Sequence, residues 1–345
     1  MTRTVKVGRL SVGGDSPVSI QSMGKKPLTE ASLDEHITEI NGLAALGCDI
    51  MRYAVPDIQS AEVLGALAER VSIPLVADIH FDHKLALHCL DFPIAKIRIN
   101  PGNIGARWKV KELVTKALDK NVPIRVGVNH GSLPKHLVDE KDSALAMLKA
   151  AEEEIEALES LGFSNIIISL KSTDTESTVR ANRLFTKKFD YPLHVGVTEA
   201  GPLIAGIVRS TIAVSQLLLE GIGNTLRISL SDTSEAEVIA AREILMALGH
   251  RKKGIRIVSC PRCGRAGFDV HGFLSKNFSR LMSMDKDLTV AIMGCVVNGP
   301  GEARHADLGI TGAGDKVIIF REGKMLTSFP EKEANEAFFK ELESL

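Results

Sequence analysis

The chain has 345 residues, of which 44% are hydrophobic and 25% are charged, and its formal net charge is −1. This composition is typical of a globular protein, and the near-zero charge gives no electrostatic reason to expect nucleic acid or an anionic membrane as a partner. No apolar run approaches the ~20 residues of a membrane-spanning helix. Five cysteines, an odd number, and an N-terminus without a signal-like apolar segment argue against a disulfide framework and predict a reducing, cytoplasmic location.

One unit recurs up to about residue 250: a short β-branched run, a polar tip and an amphipathic stretch with helical spacing. The eight runs predicted as strands are 18–21, 49–53, 75–80, 95–100, 124–129, 166–171, 193–198 and 226–230. Eight strand–helix units in about 250 residues predict an α/β fold, a closed (β/α)8 barrel of the TIM type. An open doubly wound sheet is the alternative, but the G-x-G-x-x-G turn that often follows its first strand is absent from the sequence.

Residues that are typical of helix ends occur between these strands. Glycines at the expected helix ends are Gly47, Gly162, Gly221 and Gly249. Candidate N-caps or first-turn residues are Asp34, Asp82, Asp142 and Ser234.

The pattern changes after Lys253, so we expect a barrel domain over residues 1–252 and a second domain over residues 253–345. In the second domain, a strand over 255–259 leads into a C-x-x-C motif. A helix is predicted around 268–281, strands at 288–293 and 316–320, and a terminal helix over 331–345. These elements indicate a small α+β domain built around two loops rich in glycine and proline.

Barrel enzymes carry their active sites at the carboxyl ends of the strands. The polar side chains predicted there are Arg52, Asp78, His80, Arg98, Asn100, Arg125, Asn129, Lys171, His194, Thr198, Glu199, Arg227 and Ser229. Cations crowded in one mouth repel each other unless an anion is present, and arginine matches phosphate oxygens in a bidentate fork. The set therefore predicts a small, doubly phosphorylated ligand, although any single member could instead be solvated or paired with a helix residue.

Three of these positions are candidates for handling protons. Asp78 and His80 share one face of a strand by the two-residue period, and either could orient a hydroxyl or transfer a proton. Glu199 follows another strand directly, and its alternative role is to cap the next helix.

The second domain carries three cysteines and a nearby acid. Cys260 and Cys263 form the C-x-x-C, and Cys295 lies downstream with Glu302 a few residues further on. Three thiolates and a carboxylate can hold zinc or an iron–sulfur cluster, and an exchangeable carboxylate would leave one position for chemistry. A zinc site with His271 or His305, and a thiol–disulfide motif, stay open on the residues alone. The remaining two, Cys48 and Cys89, are predicted to be buried as small hydrophobic residues.

Several motifs carry a resemblance that extends almost end to end. They are SIQSM (19–23), ADIHF (77–81), KIRINPGN (96–103), GVNHGS (127–132), HVGVTEAG (194–201), RISL (227–230) and the two cysteine loops at 259–265 and 293–302. In them the chain closely resembles the bacterial two-domain 4-hydroxy-3-methylbut-2-enyl diphosphate synthases of the non-mevalonate isoprenoid pathway. Met51, Tyr53 and Arg262 depart from the usual family pattern, but none of them removes a ligand or a charge.

The resemblance implies a [4Fe–4S] cluster on Cys260, Cys263 and Cys295, with Glu302 as fourth ligand. It implies reductive ring opening and dehydroxylation of 2-C-methyl-D-erythritol 2,4-cyclodiphosphate, with two electrons from flavodoxin or ferredoxin. Substrate-binding roles fall to Arg52, Arg98, Asn100, Arg125, Asn129, Lys171, Thr198, Arg227 and Ser229. Asp78, His80 and Glu199 would contact or protonate the carbon skeleton. A head-to-tail homodimer is also implied, in which the barrel of one subunit faces the cluster domain of the other.

Two functions of other classes are left as alternatives. One is a zinc-stabilised barrel that binds a phosphorylated metabolite without redox chemistry. The other is a non-redox barrel lyase, such as a phosphosugar aldolase with Lys171 as its Schiff-base lysine.

Overall fold

The structure, a computed structural model, describes residues 1–261, 263–296, 303–314 and 316–345. The chain divides into two compact units, Met1–Arg251 and Lys252–Leu345, which are described separately. Among the described helices, none is both long and apolar enough to cross a membrane.

A hairpin that the sequence pattern does not predict begins the first unit. Its strands β1 (Val5–Val7) and β2 (Leu10–Val12) are antiparallel. Their buried valines pack against Ile50, Val76 and Ile167, which lie at or near the first residues of barrel strands. The hairpin therefore covers the amino-terminal end of the barrel.

Eight parallel strands form the barrel. They are β3 (Ser19–Met23), β4 (Ile50–Ala54), β5 (Leu75–Asp78), β6 (Lys96–Ile99), β7 (Ile124–Asn129), β8 (Ile166–Lys171), β9 (His194–Val195) and β10 (Thr225–Leu226). Hydrogen bonds join them in the order β8-β7-β6-β5-β4-β3-β10-β9, and a parallel bridge between Ile168 and Leu193 connects the two outer strands of that order. The predicted (β/α)8 barrel is confirmed, and the open doubly wound sheet is wrong.

Helices surround this sheet. They are α1 (Leu33–Leu46), α2 (Ile58–Arg70), α3 (His83–Cys89), α4 (Pro101–Ile104), α5 (Arg107–Asp119), α6 (Ser143–Glu159), α7 (Thr175–Thr186), α8 (Leu203–Leu219) and α9 (Ser234–Ala247). Strands such as β8 are buried along their whole length because one face fills the barrel and the other packs against the helices.

The end signals of these helices are largely as predicted. Asp82 and Asp142 are N-caps whose side chains accept hydrogen bonds from first-turn N–H groups, and Gly47 ends α1 in the left-handed conformation at φ 108°. Ser234 lies in the first turn of α9, one of its two predicted places, and is not the N-cap. Thr233 caps α9 instead, through a hydrogen bond from Ala236 N, because Ser234 is already the first helical residue and is buried.

In its described residues, the second unit is an α+β sandwich of one sheet and two α-helices. Its elements are β11 (Arg256–Ser259), α10 (Val270–Ser283), β12 (Thr289–Met293), β13 (Leu308–Ala313), β14 (Lys316–Arg321), β15 (Lys324–Pro330) and a C-terminal helix (Ala334–Ser344). The sheet has the order β11-β12-β13-β14-β15, with parallel pairing from β11 to β13 and antiparallel pairing beyond. Phe273 and Phe338 meet edge to face in the core between the helices and the sheet.

Candidate functional site

A cavity of about 200 Å³ lies at the carboxyl ends of the barrel strands. Its lining residues are Met23, Arg52, Asp78, His80, Arg98, Arg125, Asn129, Ser169, Lys171, Thr198, Arg227 and Ser229. The fold thus brings together ten side chains that the sequence predicts at strand ends, and it adds Met23 and Ser169. A larger groove of about 600 Å³ lies elsewhere, between α5 and α6, but its lining lacks this convergence of cations.

The alternation of side chains along each strand explains this lining. Arg125 and Asn129 on β7 lie on the same face as Gly127, and that face looks into the barrel. A Cβ at Gly127 would lie 2.8 Å from Nε of Arg98 and would force that side chain to shift. The absence of a side chain at Gly127 therefore makes room for the Arg98 guanidinium.

Asp78 organises one wall of the cavity. Its Oδ1 accepts a hydrogen bond from Nη1 of Arg98 at 3.0 Å, and its Oδ2 lies 3.4 Å from Nε of Arg52. Burial alone would raise the pKa of Asp78, but Arg52, Arg98 and Arg125 hold this pKa below its usual value. The carboxyl group is therefore ionised, and it fixes two guanidinium groups.

His80 lies beside this group at the mouth, where about half of its side chain is exposed. Its ring contacts Nη1 of Arg98 at 3.2 Å, and its Nε2 lies 3.7 Å from Oδ1 of Asp78. Burial lowers the pKa of His80, Asp78 raises it, and Arg98 and Arg52 lower it further, so the net shift is downward. A neutral imidazole at the cavity mouth is the result.

Glu237 organises the opposite wall, and the sequence pattern does not single it out. Its carboxylate is almost fully buried and accepts hydrogen bonds from Arg227, from Ser22 and from the backbone N–H of Leu230 at 3.0 Å. Nζ of Lys25 lies 3.2 Å from Oε1. Glu237 therefore fixes Arg227, whose Nη1 also donates to the thioether of Met23 at 3.5 Å.

The remaining cavity cations have no such partner. Arg125 donates to Oγ of Ser169 at 2.9 Å, and Lys171 is buried beside it. In the described part of the chain, neither forms an ion pair with a carboxylate. Burial, reinforced by neighbouring cations, lowers the pKa of Lys171 well below its usual value. Such a wall favours an anion, which would supply the missing negative charge.

The structure places Asn100 and Glu199 away from the cavity lining. Oδ1 of Asn100 accepts a hydrogen bond from the backbone N–H of Gly102 at 3.1 Å, at the start of α4. Glu199 is exposed and has a φ of 50°, a left-handed conformation that is uncommon for residues other than glycine. Glu199 does not cap α8, since Pro202 occupies the N-cap position.

His194, the other strand-end candidate, lies beneath the cavity. It is fully buried, and its Nδ1 lies 3.4 Å from Oγ1 of Thr225. Lys96, which the strand-end pattern leaves out, is also fully buried and donates to Oε1 of Gln21 at 3.1 Å.

Two cysteine loops follow neighbouring parallel strands of the second unit. Cys260 comes directly after β11 and Cys295 shortly after β12, so both loops begin at the same edge of the sheet. Gly294 N donates to Sγ of Cys260 at 3.1 Å, and Gly267 N donates to the carbonyl of Gly294 at 2.8 Å. These bonds hold the two loops together.

The donor set fits a metal–sulfur centre by its chemistry. All five cysteines are described and none is in a disulfide; Cys263 is exposed, whereas Cys48 and Cys89 are buried as predicted. A backbone N–H directed at the sulfur of Cys260 is the kind of contact that stabilises a thiolate ligand. Within the described ranges, no three His, Cys, Asp or Glu side chains already meet around a single ion. The predicted ligand Glu302 lies outside the described residues.

Comparison with known families decides the assignment of the chain. Residues 2–242 match the model described as the GcpE TIM-barrel domain, and residues 256–344 match the GcpE protein C-terminal domain. The chain belongs to the GcpE family.

Relatives of this GcpE protein span both units. It is 49% identical to the 4-hydroxy-3-methylbut-2-en-1-yl diphosphate synthase (flavodoxin) of Treponema denticola, over 100% of this chain and 99% of that protein. The protein of the same name from Treponema pallidum is 53% identical over 93% of this chain and 82% of its own length. The Geobacter sulfurreducens protein of that name is 47% identical, with 100% and 98% covered.

Solved structures resemble the GcpE barrel in fold alone. Dihydropteroate synthase from Xanthomonas albilineans aligns with a TM-score of 0.53 at 13% identity, over 71% of this chain and 97% of that chain. Dihydropteroate synthase from Yersinia pestis aligns with a TM-score of 0.51 at 12% identity, over 72% and 100%.

Proposed function

We propose that this GcpE protein is an iron–sulfur oxidoreductase that converts 2-C-methyl-D-erythritol 2,4-cyclodiphosphate into 4-hydroxy-3-methylbut-2-enyl diphosphate. The observation that carries the proposal is the small cavity in which four arginines and Lys171 converge on one space. The name of the relatives, a diphosphate synthase that uses flavodoxin, supports the same product and donor.

The cavity walls suit a compact diphosphate. Arg125 and Lys171, which have no carboxylate partner within the described ranges, would bind phosphate oxygens directly, and a guanidinium can do so in a bidentate fork. Arg52, Arg98 and Arg227 would add charge from positions fixed by Asp78 and Glu237. Asn129, Thr198 and Ser229 on the lining would donate hydrogen bonds to the remaining oxygens and to the substrate hydroxyl groups.

In this proposal Asp78 is not the proton donor. Since Asp78 is held ionised between two arginines, its role is to orient them and not to donate a proton. His80 at the cavity mouth is the candidate to face the carbon skeleton. Glu199, exposed in the turn after β9 and not on the cavity lining, would act only on groups that extend beyond that lining. Asn100 would act indirectly, through the turn that its side chain caps.

The second unit would hold the [4Fe–4S] cluster on Cys260, Cys263 and Cys295, with Glu302 as fourth ligand. Each thiolate of such a cluster binds a different iron, so the three sulfurs need not meet around one point. When bound, the cluster supplies electrons one at a time and an iron that can accept an oxygen ligand. The proposal also includes flavodoxin or ferredoxin as electron donor, a homodimer and a cytoplasmic location.

One observation keeps a second candidate function in view. The lowered pKa of Lys171 is a property of lysines that form Schiff bases, as in the aldolase alternative. Borohydride should trap a covalent adduct on Lys171 if a carbonyl substrate forms one. No adduct is expected for a reductase.

The proposal is tested on protein purified without oxygen. We expect about four irons with matching sulfide per chain, and reduction of the cyclic diphosphate when reduced flavodoxin is supplied. Cys263→Ser should lose both, whereas Cys89→Ala, a buried cysteine of the barrel, should keep the cluster.

Three outcomes would count against parts of the proposal. A colourless chain that holds one zinc and has no turnover would support the non-redox alternative. Full activity in Glu302→Ala would exclude Glu302 as the essential fourth ligand. A chain that contains iron and sulfide but has no turnover would support the cluster and contradict the proposed substrate.

A further inference from the structure

The charge balance inside the barrel is uneven. Six cationic side chains lie in or under the cavity: Arg52, Lys96, Arg98, Arg125, Lys171 and Arg227. The carboxylates among them are Asp78 and Glu237, and each is already bonded to other cations of the wall. Lys96, Arg125 and Lys171 form no ion pair with a carboxylate of the described chain.

Lys96 and His194 face polar and cationic groups from several strands. Lys96 on β6 faces Gln21 from β3, Arg52 from β4 and Arg125 from β7. His194 on β9 faces Thr225 from β10, Lys171 from β8, Lys96 from β6 and the same arginines, and its Nε2 lacks a hydrogen-bond partner among the described residues. Asp78 from β5 is engaged by Arg52 and Arg98.

Such a cluster has two ways to lower its electrostatic energy. Buried charge without a partner is unfavourable, so a group that can release its proton will do so. Arginine cannot release its proton, but lysine and histidine can. Burial is the largest cause that lowers the pKa of Lys96 and of His194, followed by the neighbouring cations. The second way is to admit an anion.

These two responses oppose each other, because release of protons removes the positive charge that an anion would balance. We infer that the cavity binds its anion together with protons from solvent, which Lys96 and His194 take up beneath it. The anion restores the missing negative charge, so the charged forms of both side chains become favourable again. The inference deepens the proposed function, but it needs only an anion in this cavity and not the cyclic diphosphate itself.

The sign of the pH dependence follows. The affected pKa values are low in the empty cavity and higher in the occupied one. When the pH lies between the pKa of the empty cavity and that of the occupied cavity, binding of the anion takes up protons. A rise in pH therefore weakens binding of an anion of fixed charge. The affinity should fall about tenfold per pH unit for each proton taken up.

Sulfate is the probe, because it stays a dianion throughout the neutral range and any proton taken up must bind to the protein. The cluster-loaded full chain is titrated by calorimetry in two buffers of different ionisation enthalpy, and the difference in heat gives the number of protons. We expect uptake of about one proton or more near neutral pH. Lys96→Met should reduce it, and Lys149→Met, an exposed lysine of α6, should leave it unchanged.

Each result supports or overturns the inference. Sulfate binding without proton uptake in the unaltered chain would overturn it, even if Lys96→Met fails to fold. Unchanged uptake in both Lys96→Met and His194→Gln, or no saturable sulfate binding, would overturn it as well. Turnover of the cyclic diphosphate is measured separately. Turnover without uptake leaves the proposed function standing, and uptake without turnover leaves only the proton-linked anion site.

Discussion

At the scale of single residues, Glu237 holds together parts of the wall that are far apart in sequence. It receives hydrogen bonds or ion pairs from Ser22 and Lys25 at the end of β3 and from Arg227 after β10. Hydrogen bonds to a charged group contribute about 1.5–3 kcal/mol, and loss of the charge leaves the buried partners unpaired. Glu237 is therefore a positioning residue for Arg227.

Glu237→Gln keeps the shape of the side chain and removes its charge. We expect Arg227 to lose its fixed orientation, so KM for the cyclic diphosphate should rise about tenfold with a smaller change in kcat. Glu235→Gln is the control, because Glu235 lies on the same turn of α9 but is exposed. A fall in kcat with unchanged KM would show that Glu237 does not act through binding.

The residues of the cavity differ in how far the sequence predicts them. Arg52, Arg98 and Arg125 follow from their position at strand ends and the two-residue period. Glu237 does not, because it looks like any first-turn acid of a helix, and only tertiary packing directs it inward while Glu235 faces solvent. Lys96 lies one layer below the strand tips, and a lysine on a short strand gives no local sign of complete burial.

At the scale of elements, strand β7 makes room for an arginine side chain of its neighbour β6 at the position where β7 has no side chain of its own. Gly127 lies against the guanidinium of Arg98, which is held by Asp78 and His80 and cannot move freely. A methyl group at this position would force the guanidinium to shift.

Gly127→Ala should therefore lower anion affinity while the barrel stays folded. We expect KM for the cyclic diphosphate to rise about tenfold or more, equivalent to about 1.4 kcal/mol of binding free energy. Gly131→Ala is the matched control in the turn after the same strand, since a Cβ there meets nothing within 4 Å. Equal KM values for the two variants would contradict this role, and melting curves would report any loss of folding.

The strands differ in how well the sequence pattern predicts them. Long β-branched runs such as β8 are predicted to within a residue, because burial on both faces leaves an uninterrupted apolar signal. The hairpin β1–β2 is too short for such a signal, β13 is interrupted by Gly309 and Gly312, and β15 is a largely exposed edge strand. These strands depend on pairing partners distant in the chain.

At the scale of the whole molecule, α8 bears an exposed apolar surface on the outside of the barrel. This α8 stripe consists of Ile204, Val208, Ile212 and Leu219, which repeat at helical spacing. Exposed apolar residues that share one helix face can mark an interface. In the homodimer proposed above, a second copy of the chain would cover this surface.

A charge placed on the α8 stripe should weaken that association. We expect Val208→Asp combined with Ile204→Asp to shift the mass measured by light scattering from dimer towards monomer. Ile58→Asp, at an exposed apolar position on α2, should leave the mass unchanged. A monomeric unaltered chain, or a dimer unaffected by both aspartates, would reject this surface as the interface.

The hairpin over the amino-terminal end of the barrel affects how the substrate enters and how the product leaves. Because its valines pack against that end, we expect ligands to enter and leave the cavity at the carboxyl ends of the strands. The diphosphate product keeps both phosphates, so it must depart past the same guanidinium groups that drew the substrate in. Release of protons from Lys96 and His194 to solvent would weaken the binding of the product. Two residues beneath the cavity would then promote product release.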